Sequence, residues 1–288
     1  MALLSVSQGF DDFFGRLTPL QSERDAHTKH RASVEGCLEQ AAFGVHLFRQ
    51  TGSFWHGTGI RHHCDVDLLV SIKALRPDSS DTALGWVKDT LKARFPTTEV
   101  VIRRPTVVVR FAGGTETWEI LPGFLKEVAD DAPVYEIPGP ASGWMTSAPT
   151  AHLDYINEID KQTGGGAKKL ARLAKAWKYY NSVPISSFYL EMRAAQYMAT
   201  HTPFVPVWDV CGLLEWLDTN DLPAMNDPKG KAGRFNACSS DPTRTTALSK
   251  LHTAATRARK ALEADRKDDP ETAFYNLNLL FGYRFPSR

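Results

Sequence analysis

Gly52-Ser53-Phe54-Trp55-His56-Gly57-Thr58-Gly59-Ile60-Arg61-His62-His63-Cys64-Asp65-Val66-Asp67-Leu68-Leu69-Val70 is the stretch that decides how the chain is read. Val66, Leu68 and Val70 alternate with Asp65, Asp67 and Leu69, a period-two pattern that predicts a half-buried strand with both carboxylates on one face. Residues two apart on a strand have backbones separated by about 6 to 7 Å. Side chains leaning together from that spacing can share a pair of Mg²⁺ ions about 3.5 to 4 Å apart. Without such cations, two like charges buried side by side are costly. An Asp-x-Asp triplet alone reads more readily as the start of a solvated strand behind a Gly-rich loop. The context selects metal-assisted nucleotidyl transfer: a predicted strand Val45–Thr51, a Gly-Ser turn, a second tight segment from His56 to Gly59, then the acidic strand.

Working outward, residues 20–43 carry Val34, Leu38, Ala41 and Ala42 at helical spacing with no proline after Pro19, so one long helix is expected before the first strand. Ser79 and Ser80 precede an amphipathic helix over 82–95 with Leu84, Val87 and Leu91 on its core face. Runs at 106–111 and 116–121, joined by Ala112-Gly113-Gly114-Thr115, read as a hairpin. A sheet could set Glu119, on the second run, beside Asp65 and Asp67; on pattern alone it is equally a rim carboxylate. Residues 133–149 are rich in Pro, Gly, Ser and Ala and read as a linker, which places a boundary between a catalytic core over 1–145 and a helical part over 146–288. Helical patterns follow at 151–161, 167–180, 186–201, 208–217 and 243–267, with a polar loop over 226–241.

In the helix 167–180, Leu170, Leu173, Ala174 and Trp177 share one side, and Lys168, Arg172 and Lys175 fall within a narrow sector opposite. That sector is either a solvated face or a cationic stripe for the phosphates of a nucleoside triphosphate. Gly164-Gly165-Gly166 lacks the Gly-Lys-Ser/Thr ending of a Walker A loop and is a flexible lead into the helix. Ser186-Ser187-Phe188-Tyr189 forms a capped helix start, where an aromatic can stack on a base while a Ser hydroxyl bonds base or phosphate; Phe188 and Tyr189 are otherwise core residues.

The chain has 288 residues, enough for one large domain or two lobes around a cleft. Its 34 Lys+Arg and 33 Asp+Glu give a net charge of +1, which excludes a global electrostatic drive toward nucleic acid or membrane surfaces. The N-terminus lacks a basic region and a sufficient apolar run for a signal peptide, and nowhere do 18 apolar residues follow one another, so a cytoplasmic location is expected. Cys37, Cys64, Cys211 and Cys238 show no Cys-x-x-Cys spacing and fit reduced thiols. His62-His63-Cys64 has no second ligand cluster to complete a zinc site.

These residues together resemble the CD-NTases, the cGAS-like bacterial nucleotidyltransferases or SMODS-type synthases. Gly52-Ser53, Gly57-Thr58 and Asp65-Val66-Asp67 match the family's G-S…G-T…D-h-D signature, and Glu119-Ile120-Leu121-Pro122-Gly123-Phe124 matches the segment with its third metal carboxylate. Leu170 to Lys178 is similar to the helix whose Lys contacts the donor triphosphate, and Ser186 to Glu191 to the segment that cradles base and phosphates. The resemblance implies an α/β polymerase β-like nucleotidyltransferase core with a mixed sheet, a helical C-terminal lobe and an active site in the cleft between them. It implies Mg²⁺, with Mn²⁺ as an alternative, held by Asp65, Asp67 and Glu119. Nucleoside triphosphates (ATP, GTP or pyrimidine nucleotides) would be bound by Gly52, Ser53, Arg172, Lys175, Ser187 and Phe188. The implied product is a cyclic di- or trinucleotide that reaches an effector in antiphage defence. The third acid is usually Asp; Glu119, longer by one methylene, can still reach Mg²⁺ at roughly 2.0 to 2.1 Å if its strand sits slightly back. No His/Cys zinc insertion of the kind that grips DNA in the animal enzyme is present, so no DNA requirement is expected. Two other readings stay open: transfer of nucleotides to an RNA end, protein or small molecule, and a catalytically silent nucleotide-binding module.

Overall fold

The computed structural model describes residues 3–27, 29–63, 65–114 and 116–288. In chain order the elements are α1 (Val6–Leu17), α2 (Gln21–His27), α3 (Arg31–Glu39), β1 (Val45–Thr51), α4 (Gly52–His56), β2 (Val66–Ile72), α5 (Ser80–Arg94), β3 (Glu99–Arg103), β4 (Thr106–Phe111), β5 (Glu116–Ala129), β6 (Ala132–Pro138), β7 (Trp144–Ser147), α6 (Pro149–Gln162), α7 (Gly166–Tyr180), α8 (Ser187–Met198), α9 (Pro206–Thr219), β8 (Met225–Asn226), β9 (Arg234–Phe235), α10 (Asp241–Asp265) and α11 (Pro270–Leu280).

The acidic strand β2 lies inside a mixed sheet ordered β1-β2-β5-β4-β3. It pairs antiparallel with β1 and parallel with β5. The parallel pairing needs a crossover, supplied by α5, whose Leu84, Val87 and Leu91 are fully buried with Val66, Leu68 and Val70 in the sheet core. The 106–111 and 116–121 runs form the expected hairpin, closed by a tight turn at Ala112–Gly114; Thr115 lies outside the described residues. The second strand of that hairpin continues to Ala129.

Two expectations are corrected. The single helix over 20–43 is two short helices, α2 and α3, broken around 29–30. The supposed linker over 133–149 is mostly strand: β6 pairs with the second half of β5, and β7 pairs with β6. Of its four prolines, Pro133 is second in β6 and Pro138 last, where they disturb the ladder least, Pro140 lies in the turn that follows, and Pro149 opens α6. The boundary set at 145/146 falls inside β7.

A second core, helical, is built on α7, which is buried from Leu170 to Trp177 apart from Arg172. Helix α1 joins this core rather than the sheet. Ser5 and Gln8 form a capping box at its start, and its Phe10, Phe13 and Leu17 are fully buried. The Phe13 ring lies 4.7 Å from that of Phe281 and 5.2 Å from that of Phe285, near the other end of the chain. No helix among the described residues is long and apolar enough to cross a membrane.

Candidate active site

Sheet and helices meet at a cleft holding a cavity of about 560 Å³. Its floor is acidic. Asp67 on β2 and Glu119 on β5 are Cα partners in the parallel ladder, and Asp65 immediately precedes β2, so all three line the cavity. On the other side of Asp67, its antiparallel partner is Thr51, which brings the β1–α4 turn against it. Gly52 there has φ +68°, and a Cβ on it would fall 1.7 Å from Asp67 Oδ2. Glycine is required at this point by both backbone and space.

Burial raises the Asp67 pKa well above the usual carboxylate range, and the charges of Glu119 and Asp65 raise it further. Glu119 is raised by burial and then by Asp65, against the opposing pull of Arg103 and Lys178. The floor is therefore short of positive charge. Three carboxylates of this kind are hard oxygen donors suited to Mg²⁺. Among the described residues, no three His, Cys, Asp or Glu side chains already stand as a closed ligand cage.

One wall is polar and carries Lys178 and Tyr179 at the end of α7. Lys178 Nζ donates to Ser187 Oγ at 2.5 Å, and Tyr179 Oη lies 3.1 Å from the same hydroxyl. Burial and then the neighbouring Lys175 ammonium pull the Lys178 pKa down to about 8, against Glu191 and Glu119. Ser186, rather than Ser187, caps α8, accepting from the Tyr189 backbone N–H, which leaves the Ser187 hydroxyl in the cleft. The far end is aromatic: Phe188 is half-buried, its ring 5.0 Å from His152 and 4.9 Å from Phe235. Nearer the acids, His63 stacks on Tyr179 at 4.5 Å with planes 6° apart. Of the His62-His63-Cys64 triplet, Cys64 lies outside the described residues.

Asp65, Asp67, Glu119, Gly52, Ser53, Ser187 and Phe188 thus line one cavity, whereas Arg172 and Lys175 do not. Lys175 is not on a solvated stripe. Its side chain is 0% exposed, and its Nζ donates to Glu191 Oε1 at 2.6 Å. Arg172 donates to the Gly57 carbonyl at 2.6 Å. The polar side of α7 faces α4 and α8, which a helical-wheel argument on one helix cannot see. The cleft-facing ammonium of this helix is Lys178, one turn further on. Its i, i+3 spacing from Lys175 was a readable signal. His152 and Phe235 had none, because α6 and the short strand β9 reach the cleft only through the tertiary fold.

A mixed sheet bearing paired carboxylates beside a Gly-Ser turn, with a helical part closing the cleft, defines the polymerase β-like nucleotidyltransferase fold. The Second Messenger Oligonucleotide or Dinucleotide Synthetase (SMODS) domain model matches residues 4–160, and the chain belongs to this family, the CD-NTases, which are nucleotidyltransferases. Over its length it is 26% identical to a cyclic AMP-AMP-AMP synthase from Acinetobacter sp. (strain ATCC 27244 / 9458), covering 99% of this chain and 86% of that protein. Its fold is similar to that of E. coli MS115-1 CdnC solved with ATP, with TM-score 0.78, 16% identity and 98% and 99% of the two chains covered. Bradyrhizobium diazoefficiens CdnG in complex with GTP gives TM-score 0.75 at 15% identity, with 96% of each chain covered.

Proposed function

We propose that the protein is a cytoplasmic, Mg²⁺-dependent synthase that joins nucleoside triphosphates into a cyclic di- or trinucleotide signal for antiphage defence. The observation that carries this reading is the in-register pair Asp67 and Glu119 on adjacent parallel strands, facing Lys178 across the cavity. Asp65, Asp67 and Glu119 would hold Mg²⁺, which supplies charge neutralisation at the phosphates and activation of the attacking hydroxyl. The chain's own groups do the rest. Gly52 and Ser53 offer backbone N–H and hydroxyl donors to the β- and γ-phosphates. Lys178 and Ser187 complete the phosphate cradle in the place first given to Lys175 and Arg172. Phe188, backed by His152 and Phe235, gives a base a face to stack on, an interaction typically worth about 1 to 3 kcal/mol. An acceptor hydroxyl, giving up its proton to solvent, then bonds to the donor α-phosphorus as the α–β linkage breaks and pyrophosphate leaves.

The test is incubation of the pure protein with the four labelled nucleoside triphosphates and no added acceptor. A phosphatase-resistant cyclic product with pyrophosphate is expected. Product appearing only when RNA, a protein or a small molecule is supplied would replace this reading with acceptor-directed transfer.

Lys178 gives the reading a pH signature. With its pKa near 8, the ammonium is charged below that value and lost above it, so affinity for a non-hydrolysable ATP analogue should fall as pH rises through about 8. Lys178→Met should bind more weakly at pH 7 and lose this dependence. Stability moves the other way. The folded pKa lies below the ordinary 10.5, so the unfolded chain holds more protons between the two values and the nucleotide-free fold gains stability across that window. Calorimetric titration and melting across pH 7 to 10 check both signs, and a flat affinity profile in the wild type removes Lys178 from the cradle.

A further inference from the structure

Four buried side chains, of which His56 and Glu191 also border the cavity, join the helical part to the short helix that carries Gly52 and Ser53. Glu191 on α8 is 3% exposed and stands at their centre. Its Oε1 accepts from Lys175 Nζ at 2.6 Å and from Thr58 Oγ1 at 2.7 Å, and its Oε2 lies 3.1 Å from His56 Nδ1. Lys175 Nζ also lies 3.5 Å from Thr58 Oγ1. His56 is the last residue of α4, and the Thr58 backbone N–H donates to the Ser53 carbonyl at 3.0 Å. Arg172, one turn before Lys175, grips the Gly57 carbonyl. Helix α4 has only five residues and cannot hold its own position.

We propose that Glu191 is a positioning residue: with Lys175 behind it, it clamps α4 through Thr58 and His56 and so fixes the Gly52-Ser53 donors relative to the acidic floor. The proposal rests on the triphosphate reading for what those donors bind, and on the contacts alone for the clamp. A buried ion pair of this kind adds little to stability compared with an apolar pair, and its value is in fixing one arrangement of the two elements. Lys175, fully covered, acts through Glu191 and touches no substrate.

Thr58→Val keeps the shape, leaves both charges paired and removes only the hydroxyl arm. Two readouts follow. Amide hydrogen exchange over residues 53–58 of the nucleotide-free protein should accelerate at least about tenfold, with β4 unchanged, since a hydrogen bond to a charged group is worth roughly 1.5 to 3 kcal/mol. Affinity for a non-hydrolysable ATP analogue should fall about tenfold, and Thr58→Ser should restore both. Unchanged exchange overturns the clamp, and faster exchange with unchanged affinity overturns its role in placing the donors. If Thr58→Val fails to melt cooperatively, His56→Leu, which removes the other arm, is judged by the same two readouts. A wild-type protein that binds no analogue would overturn the triphosphate reading instead, and the exchange result would still decide the clamp.

Discussion

Asp67→Asn is expected to abolish product formation while raising the melting temperature of the nucleotide-free protein. The two effects have one cause. Burial and the charges of Glu119 and Asp65 hold the Asp67 pKa above its ordinary value, so at neutral pH the charged form is a cost to the fold. A carboxylate raised in this way binds its proton more tightly when folded, and stability falls as pH rises from the unfolded pKa through the folded one. Asn has nearly the same shape and no charge, so the variant escapes that loss. Catalysis moves oppositely: removing a carboxylate that holds the ion forfeits several kcal/mol of transition-state stabilisation, and about 4 kcal/mol corresponds to roughly a thousandfold in rate. Melting curves with and without Mg²⁺ and a triphosphate analogue, alongside product assays, check both signs. Turnover within tenfold of wild type by a folded Asp67→Asn protein would remove Asp67 from the catalytic floor.

Gly52→Ala is expected to be as damaging to activity, for a steric reason. The added Cβ would lie 1.7 Å from Asp67 Oδ2 and 2.3 Å from its Cγ, so the turn or the carboxylate must move. Either shift separates the phosphate donors from the acids, and a displacement of about 1 Å can cost a hundredfold. The left-handed backbone at φ +68° adds about 1 to 2 kcal/mol of destabilisation for any residue with a Cβ. Gly113→Ala is the matched control, because it has φ +67° with nothing within 4 Å of the new Cβ. Both variants should lose similar backbone stability, and only Gly52→Ala should lose turnover by a hundredfold or more. Equal activity in the two would show that the contact with Asp67 relaxes without consequence.

Much of the sheet was legible because its signals are local. The strand from Val66, the Gly-Gly hairpin and the capped start at Ser186 each lie within a few residues and each forms, although β2 is buried on both faces, Leu69 packing with Tyr135 and Ile137, where the alternation implied a half-buried strand. The pairing of Asp67 with Glu119 is different. It depends on a parallel ladder between strands separated by α5, β3 and β4, and no window of sequence contains it. The same limit explains Lys175. Its angular position on α7 was right, but whether that side meets water or Glu191 is decided by α8. Residues 133–149 misled for the opposite reason, since prolines suggest a linker unless strand ends are there to accept them. Helix α1 went unread, although the Ser5 to Gln8 capping box and Phe10, Phe13 and Leu17 at helical spacing carry its signal, and nothing in those residues names the aromatic partners from Phe274 to Phe285.

That packing of α1 against residues 274–285 sets an order of events during synthesis. The sheet core draws on buried residues from Val34 to Phe124 with Trp144 packed against them, and is ready to assemble once the chain through β7 has emerged from the ribosome. The helical core is not, because Phe10 and Phe13 wait for Phe281 and Phe285, and domains generally fold as units as they appear. A growing chain therefore carries its acidic floor long before it has a closed cleft, and ribosome-bound protein is expected to be silent until Phe281 and Phe285 arrive.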